Sequence, residues 1–364
     1  MNSALVTKAA RRSLGQIRHV SPVPPRKAEG LVARVYAQTE RDFGMLAPPV
    51  ALHSPAPAVL AGAWVMLRET LLAAGTAGRA EKEVVAAATS AANSCPYCVS
   101  VHGAAIRGLA RGAIPDQIAA GHAEEITDGR LREVACFARQ SSQRFPQKST
   151  PVGYIPELAA VAVTFHYLNR MVNVFLPDSL LPASAPSALG GAFLRVLGSV
   201  MLSPDAAPGA SLSLLPAAPL PADLAWSAGE PRVAAALARA AAAMEEAGAR
   251  AVPEHVREVV IEQLRNWDGR PPGPSPAWAG TLAAGLPPAD RPAARLALLT
   301  ALASYQVGPA DVDDLRCRGD EMLIGLTSWA SMAAARRIGS WLRQPWPEGG
   351  TPRDARPDGT WQLT

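Results

Sequence analysis

The sequence predicts an all-α protein. Hydrophobic residues make up 49% of the chain, but only 5% of its residues are aromatic, and alanine is abundant in the apolar stretches. Few segments alternate strictly between apolar and polar residues, as half-buried strands do. Apolar residues recur instead at helical spacing, as Leu60, Trp64, Leu67 and Leu71 do in an expected amphipathic helix over 58–74. The length of 364 residues predicts two domains.

Composition excludes several classes of function. The net charge is only +4, and the basic residues are dispersed without interleaved aromatic residues, so we expect no nucleic-acid partner. No apolar run reaches about 18 residues, so we expect no membrane-spanning helix and no membrane partner. No signal peptide is evident, which favours a cytoplasmic location. Four cysteines in so long a chain do not form a disulfide framework.

The stretch 83–102, EVVAAATSAANSCPYCVSVH, combines the residues best suited to chemistry. Its first part is helix-forming and should end near Asn93. Pro96 is a favourable first residue for a new helix, with Ser94 or Cys95 as its cap. We therefore predict a helical hairpin that carries Cys95 and Cys98 at the start of its second arm.

The spacing of this hairpin brings three kinds of side chain together. Cys98 shares a helix face with Cys95 at i, i−3 and with His102 at i, i+4. His102 and Glu83 each lie about 10–12 Å from the turn, at about 1.5 Å per residue, so an antiparallel pair of helices lets carboxylate and imidazole meet. The helix N-terminus should lower the pKa of a cysteine, while histidine accepts the thiol proton and glutamate orients the ring.

Two structural interpretations compete with a redox pair. Cys-x-x-Cys is also a common zinc spacing, but its other ligands would have to be His102 and one more residue, and the sequence has no second Cys-x-x-Cys and no His-x₃₋₅-His. The cysteines would alternatively be inert core residues, because free cysteine is often buried. The clustering of two of the four cysteines at an expected helix start favours the redox pair.

The pattern of Glu83, Cys95, Cys98 and His102 resembles the active site of the AhpD-like alkylhydroperoxidases in the carboxymuconolactone decarboxylase superfamily. Some members also carry a histidine between the cysteines, where this chain has Pro96 and Tyr97. The motif and its flanks cover 56–180, and a fainter match extends over most of the chain.

The resemblance implies reduction of a hydroperoxide. Cys98 would be the attacking thiolate, whereas Cys95, nearer the helix tip and more exposed, would resolve the sulfenic acid to a disulfide. A dithiol reductant, either a lipoyl group or a thioredoxin-like protein, would regenerate the pair. The resemblance implies no metal, haem or flavin cofactor, and we expect a homo-oligomer.

Three other functions remain open at this stage. The same fold would also suit a thiol–disulfide oxidoreductase or a redox sensor. Lactone decarboxylation occurs in the superfamily, but it does not use a Cys-x-x-Cys pair. A non-catalytic interaction protein is the remaining hypothesis.

The second half of the chain resembles a degenerate repeat of the first. The segment REVV at 257–260 matches KEVV at 82–85 and places Glu258 opposite Glu83, but Arg270 replaces the first cysteine. We predict a flexible basic tail (1–28), an AhpD-like redox lobe (29–185), a proline-rich connector (186–226), a degenerate AhpD-like lobe (227–345) and a second flexible tail (346–364).

Other side chains receive simpler interpretations. We expect His53 to be exposed in a proline-rich loop, and His122 to be a surface or hydrogen-bonded histidine. Cys136 is interpreted as a core residue and Cys317 as a spectator. A group of four polar residues in the helix over 151–176 either lines a pocket or forms a hydrogen-bonded core network: His166, Tyr167, Asn169 and Arg170.

Overall fold

Helices form nearly all of the regular structure in the computed structural model, which describes residues 14–144, 156–180, 187–202 and 206–342. These ranges contain no strand, and the all-α fold is confirmed. Residues 1–13 of the expected first tail (1–28) and the whole expected second tail (346–364) lie outside these ranges. Residues 14–28 are not a flexible tail, because they bond to the helices: the Arg18 amide donates to the Phe175 carbonyl at 2.8 Å, and the Val23 amide donates to the Ser54 hydroxyl at 2.7 Å. The helices, numbered in chain order, are α1 Gly30–Asp42, α2 Pro48–Ala51, α3 Pro57–Leu67, α4 Arg79–Ala92, α5 Pro96–Leu109, α6 Ile114–Ala119, α7 Gly129–Gln140, α8 Pro156–Phe175, α9 Ser187–Met201, α10 Pro231–Ala251, α11 Glu254–Asn266, α12 Ala277–Ala283, α13 Arg291–Ala303, α14 Pro309–Asp313 and α15 Asp320–Trp341.

The helix expected over 58–74 is not amphipathic. Every residue of α3 from Val59 to Leu67 is buried, because other helices cover all of its faces. The helix then widens into a π-helical turn, Arg68–Leu72, instead of continuing to Gly75. Gly75 is required for another reason: a Cβ atom there would lie 1.8 Å from the Glu157 carboxylate.

The two halves of the chain pack through corresponding helices. α3 packs against α10, and α8 packs against α15. Arg170 of α8 also reaches the second half, where its Nε donates to the Ala301 carbonyl at 2.9 Å and its guanidinium stacks over Trp267. This pairing fits our proposal of two tandem lobes. Glu258, which the repeat places opposite Glu83, is exposed and has no equivalent role.

The expected connector is more ordered than its proline content suggests. It contributes α9, which packs along α5, and a stretch around Ser211 that contacts the π-helical turn. The buried Glu69 carboxylate accepts from the backbone of Gly209 and from the hydroxyl of Ser211 at 2.7 Å. No helix within the described ranges is long and apolar enough to cross a membrane.

His53 is fully buried, so the prediction of an exposed histidine is wrong. The prolines around it begin short helices instead of an open loop. Its Nδ1 donates to the Val50 carbonyl at 3.2 Å, and its Nε2 accepts from the Tyr167 hydroxyl at 2.9 Å. Burial lowers the pKa of His53 to about 4.

This burial predicts a specific pH dependence of stability. Between about pH 6.5 and pH 4 the unfolded chain binds a proton at His53 that the folded chain does not, so the free energy of unfolding falls as the pH falls. The separation of the two pKa values corresponds to about 3 kcal/mol. Denaturant unfolding at pH 7 and pH 4.5 should show a smaller loss for His53→Gln than for the wild type. His122→Gln, at an exposed histidine, should retain the wild-type loss. Equal losses in all three proteins would contradict this assignment.

Candidate active site

The two cysteines lie at the turn of a helical hairpin formed by α4 and α5. α4 ends at Ala92, and Ser94 then adopts a left-handed backbone conformation with φ of 51°. This turn lets the Cys95 amide donate to the Ser90 carbonyl at 2.9 Å. Pro96 is the first residue of α5. A backbone N–H at this position would have no partner within the helix, so proline, which lacks this N–H, costs no helical hydrogen bond. The predicted hairpin is confirmed.

A buried acid–base pair crosses this hairpin. Nδ1 of His102 and Oε2 of Glu83 are 2.6 Å apart, and the Glu83 side chain is fully buried. Arg79, one turn before Glu83, donates from Nε to Oε1 of that carboxylate at 2.8 Å. The Phe165 ring packs edge-on against the imidazole, with ring centroids 4.6 Å apart. The antiparallel packing of α4 and α5 therefore brings together the carboxylate and the imidazole, as expected from their spacing.

The charges around Glu83 keep it ionised. Burial alone would raise its pKa, but His102, which attracts the carboxylate when its ring is protonated, and the charged Arg79 outweigh burial through charge and hydrogen bonding and hold the pKa of Glu83 below its ordinary value. An ionised carboxylate only accepts hydrogen bonds, so Nδ1 of His102 must be the donor. Neutral His102 then carries its proton on Nδ1 and has an unprotonated Nε2. The pair thus prepares Nε2 as a proton acceptor.

Both cysteines of the motif are buried free thiols. Cys95 is 1% exposed and Cys98 is 3% exposed, so the expectation that Cys95 is the more accessible of the two is wrong. The turn at Ser94 and the bond from the Cys95 amide fold this residue back onto α4 and into the hydrophobic core. Cys98 is the cysteine that lines a cavity.

The Cys98 thiol is a weaker acid than its place at a helix N-terminus predicts. The neighbouring Cys95 sulfur and burial raise the pKa of Cys98 well above its ordinary value, and hydrogen bonds from Asn169 and Ser90 only partly oppose them. The position at a helix N-terminus therefore does not by itself lower the pKa of Cys98.

Polar side chains of α4 and α8 interact with the Cys98 sulfur. Asn169 of α8 donates from Nδ2 to the Ser90 hydroxyl at 2.9 Å, and both polar side chains act to lower the pKa of Cys98. The Ser90 hydroxyl hydrogen is directed to the Ala86 carbonyl at 2.6 Å. The second amide hydrogen of Asn169 is therefore the donor available to a Cys98 thiolate.

The orientation of the Asn169 amide is fixed by a chain of hydrogen bonds. The Ser141 hydroxyl donates to a backbone carbonyl, so it accepts from Nε2 of His166 at 2.9 Å. Nδ1 of His166 then accepts from Nδ2 of Asn93 at 3.0 Å. Nδ2 of Asn93 also donates to Oδ1 of Asn169 at 2.9 Å. Burial and Arg170 lower the pKa of His166 well below its ordinary value, which keeps the ring neutral.

The polar residues of α8 thus form a hydrogen-bonded core network, one of the two interpretations that the sequence allowed. Asn169 also interacts with Cys98. Tyr167 instead hydrogen-bonds with His53, and Arg170 donates to the Ala301 carbonyl. Sequence reasoning missed Ser90 and Asn93, although these polar residues, three apart, stand out in an alanine-rich helix.

The hairpin opens onto an apolar cavity of about 280 Å³. Cys98 and His102 both line its wall, as do Phe165 and Leu168 of α8. Among the described residues, no group of three or more His, Cys, Asp or Glu side chains is arranged to hold a metal ion. The remaining lining residues are Gln16, Phe43, Met45, Ala47, Pro48, Pro49, Val50, Leu67, Tyr97, Val101, Leu180, Phe193, Val196, Leu197 and Val200.

Comparison with known proteins agrees with this arrangement. Residues 58–137 match the carboxymuconolactone decarboxylase family. The chain is 36% identical over 336 residues to the alkyl hydroperoxide reductase Rv2159c of Mycobacterium tuberculosis, covering 90% of this chain and 95% of that protein. The chain therefore belongs to the carboxymuconolactone decarboxylase family, among its AhpD-like members. A solved AhpD-core structure of a peroxidase-related protein from Ralstonia eutropha JMP134 is 22% identical, with a TM-score of 0.36 over 49% of this chain and 96% of that chain.

The acid–base pair predicts how Cys98 reacts with an alkylating agent. In a Cys95→Ser background, His102→Ala should slow alkylation of Cys98 at pH 7 on the order of 10²-fold, because the thiol loses its base. Glu83→Gln should slow it less, since the imidazole remains. Raising the pH towards 9 should restore part of the rate in both variants, because hydroxide then removes the proton. Peptide-resolved mass spectrometry follows Cys98 alone.

A matched control separates this effect from the loss of any histidine. His122→Ala, at an exposed position, should leave the rate of Cys98 alkylation unchanged. Superimposable pH profiles for the background protein, His102→Ala and Glu83→Gln would return the acid–base pair to a packing role.

Proposed function

We propose that this protein reduces hydroperoxides with Cys98 and Cys95 as its redox pair. The observation that carries the proposal is the buried Glu83–His102 pair, which lies with Cys98 at the wall of an apolar cavity. The raised pKa of Cys98 calls for a base, and His102, one helical turn further along α5, is the base that we propose. The name of the 36% identical relative, an alkyl hydroperoxide reductase, supports the same reaction.

In the first half-reaction, Nε2 of His102 accepts the Cys98 proton. The thiolate attacks the terminal oxygen of the hydroperoxide, a sulfur–oxygen bond forms, and the oxygen–oxygen bond breaks. The leaving alkoxide takes the proton from His102 and departs as an alcohol. Cys98 is oxidised to the sulfenic acid, and the hydroperoxide is reduced. Ionised Glu83 stabilises the imidazolium that exists between the two proton transfers.

In the second half-reaction, the sulfur of Cys95 attacks the Cys98 sulfenic acid. A disulfide forms and water leaves, with the Cys95 proton completing the water molecule. Asn169 then faces the sulfur that changes charge in each step, and its fixed amide supports the anionic form.

A dithiol returns the disulfide to two thiols and is itself oxidised to a disulfide. Because Cys95 and Cys98 are nearly inaccessible, a folded thioredoxin-like protein would have to unfold part of α5 to reach them. A slender dithiol, such as a lipoyl group, fits through an apolar cavity without that cost. We therefore favour the lipoyl type of the two expected reductants.

The test is a single turnover of the reduced protein with cumene hydroperoxide. We expect cumyl alcohol, loss of two thiols per chain and a Cys95–Cys98 disulfide in the peptide map. Cys98→Ser should abolish the reaction, and Cys95→Ser should stop at a sulfenic acid that dimedone traps. The control, Cys136→Ser with Cys317→Ser, should behave as the wild type. In steady state, dihydrolipoamide should support faster turnover than reduced thioredoxin.

Two results would contradict the proposal. One is a principal disulfide through Cys136 or Cys317. The other is peroxide reduction that survives Cys98→Ser. Dithiol exchange at the pair without peroxide reduction would instead favour a thiol–disulfide oxidoreductase.

A further inference from the structure

One side-chain amide links the turn that carries Cys95 to the second half of the chain. Asn173 of α8 donates from Nδ2 to the Asn93 carbonyl at 3.2 Å and to the Ser304 hydroxyl at 3.0 Å. An amide nitrogen carries two hydrogens, so it can hold both acceptors at once. Asn93 caps the end of α4, and Ser304 directly follows α13. Asn173 therefore connects the cysteine turn with a helix of the other half.

The bonds of Asn93 determine the course of this turn. Its side-chain amide donates to Oδ1 of Asn169 at 2.9 Å, and its backbone carbonyl accepts from Asn173. Only Ser94, with φ of 51°, separates Asn93 from Cys95. A residue with a side chain is unfavourable in this left-handed region unless the surrounding structure holds it there. The two bonds at Asn93 thus fix the direction in which the chain leaves α4 towards Cys95.

The second half of the chain meets this face of α8 at one short segment. Ser304 is 5% exposed, so its bond to Asn173 is shielded from water. Three residues earlier, the Ala301 carbonyl accepts from Nε of Arg170 at 2.9 Å. Arg170 and Asn173 are three residues apart and share a face of α8. The end of α13 therefore holds both the helix and the orientation of the Asn173 amide.

We infer that Ser304 and Asn173 are positioning residues for disulfide closure, which hold the turn so that the sulfur of Cys95 reaches that of Cys98. A disulfide forms only within a narrow range of distances and torsion angles, so closure depends on the geometry of the turn. The second half thus serves the redox pair although it carries no Cys-x-x-Cys motif.

Closure is the same chemical step for any group bound to Cys98. The sulfur of Cys95 attacks the Cys98 sulfur, the sulfur–sulfur bond forms, and the bond to the bound group breaks. The departing group takes the electron pair and the Cys95 proton, and for a sulfenic acid it leaves as water. The part that closure plays in peroxide reduction rests on the proposed function, whereas closure itself does not.

The test measures closure without peroxide, on the reduced full-length protein with Cys136→Ser and Cys317→Ser. The probe is dithiodipyridine, a small uncharged disulfide. Attack by the first thiol releases one pyridinethione at a rate proportional to the probe concentration, and closure releases a second at a rate independent of it. The probe concentration is raised until the two phases of absorbance separate.

Two substitutions of equal size isolate the Ser304 hydroxyl. Ser304→Thr keeps it, whereas Ser304→Val has a methyl group in its place. We expect closure about tenfold slower in Ser304→Val than in Ser304→Thr, the equivalent of one hydrogen bond, with the same first phase in both. Thr327→Val is the matched control, because it removes a buried hydroxyl of the second half that donates within its own helix, to the Leu323 carbonyl at 2.8 Å. It should change neither phase.

A further variant traces the connection through Asn173. In an Asn173→Ala background the link is already broken, so Ser304→Val and Ser304→Thr should close at the same slow rate. Should Asn173→Ala fail to fold, the two Ser304 variants alone still decide the inference. Equal closure rates in those two variants, slowing of both phases to the same extent, or release of only one pyridinethione per chain would each overturn it. The expected difference in closure, found in a protein that does not reduce cumene hydroperoxide, would count against the reductase function alone.

Discussion

The hydrogen bond between Glu83 and His102 joins the two arms of the hairpin that holds the cysteines. A buried carboxylate stays charged only if partners replace the water it has lost, and here His102 and Arg79 do so. Glu83 is therefore not a simple packing residue, and its charge determines which imidazole nitrogen is free. Arg79 also donates from Nη2 to the Met201 carbonyl at 3.2 Å, so the same cluster anchors the end of α9, which forms part of the cavity wall.

The site combines a shared core with segments outside the family match. The hairpin and its acid–base pair lie within 58–137, the part that matches the family. The cavity wall, by contrast, includes residues near 16, 43–50, 180 and 193–200, which all lie outside that range. The hairpin thus positions the cysteines and the Glu83–His102 pair, while α9 and the chain before α1 shape the cavity.

Local rules predicted the hairpin well, because Asn93, Pro96 and the i, i+4 spacing act within a few residues. They failed where long-range packing decides the environment. Cys95 and His53 were expected to be exposed, but the turn at Ser94 and the surrounding helices bury them. The Cys98 pKa shows the same limit, since the helix N-terminus is visible in sequence whereas the effects of Cys95 and burial depend on three-dimensional contacts. The hydrogen bond from Gln16 to the Leu180 carbonyl also could not be foreseen, because the two residues are 164 positions apart.

The protonation state of His102 is the most direct test of this account. Nitrogen-15 NMR of the reduced protein near neutral pH, with the His102 signals assigned by their loss in His102→Gln, distinguishes the two neutral tautomers. The account predicts a proton on Nδ1 in a strong hydrogen bond to Glu83 and an unprotonated Nε2. Glu83→Gln should weaken that hydrogen bond and shift the Nδ1 signal. A neutral ring with its proton on Nε2, unaffected by Glu83→Gln, would contradict the central claim that Glu83 prepares His102 as the base for Cys98.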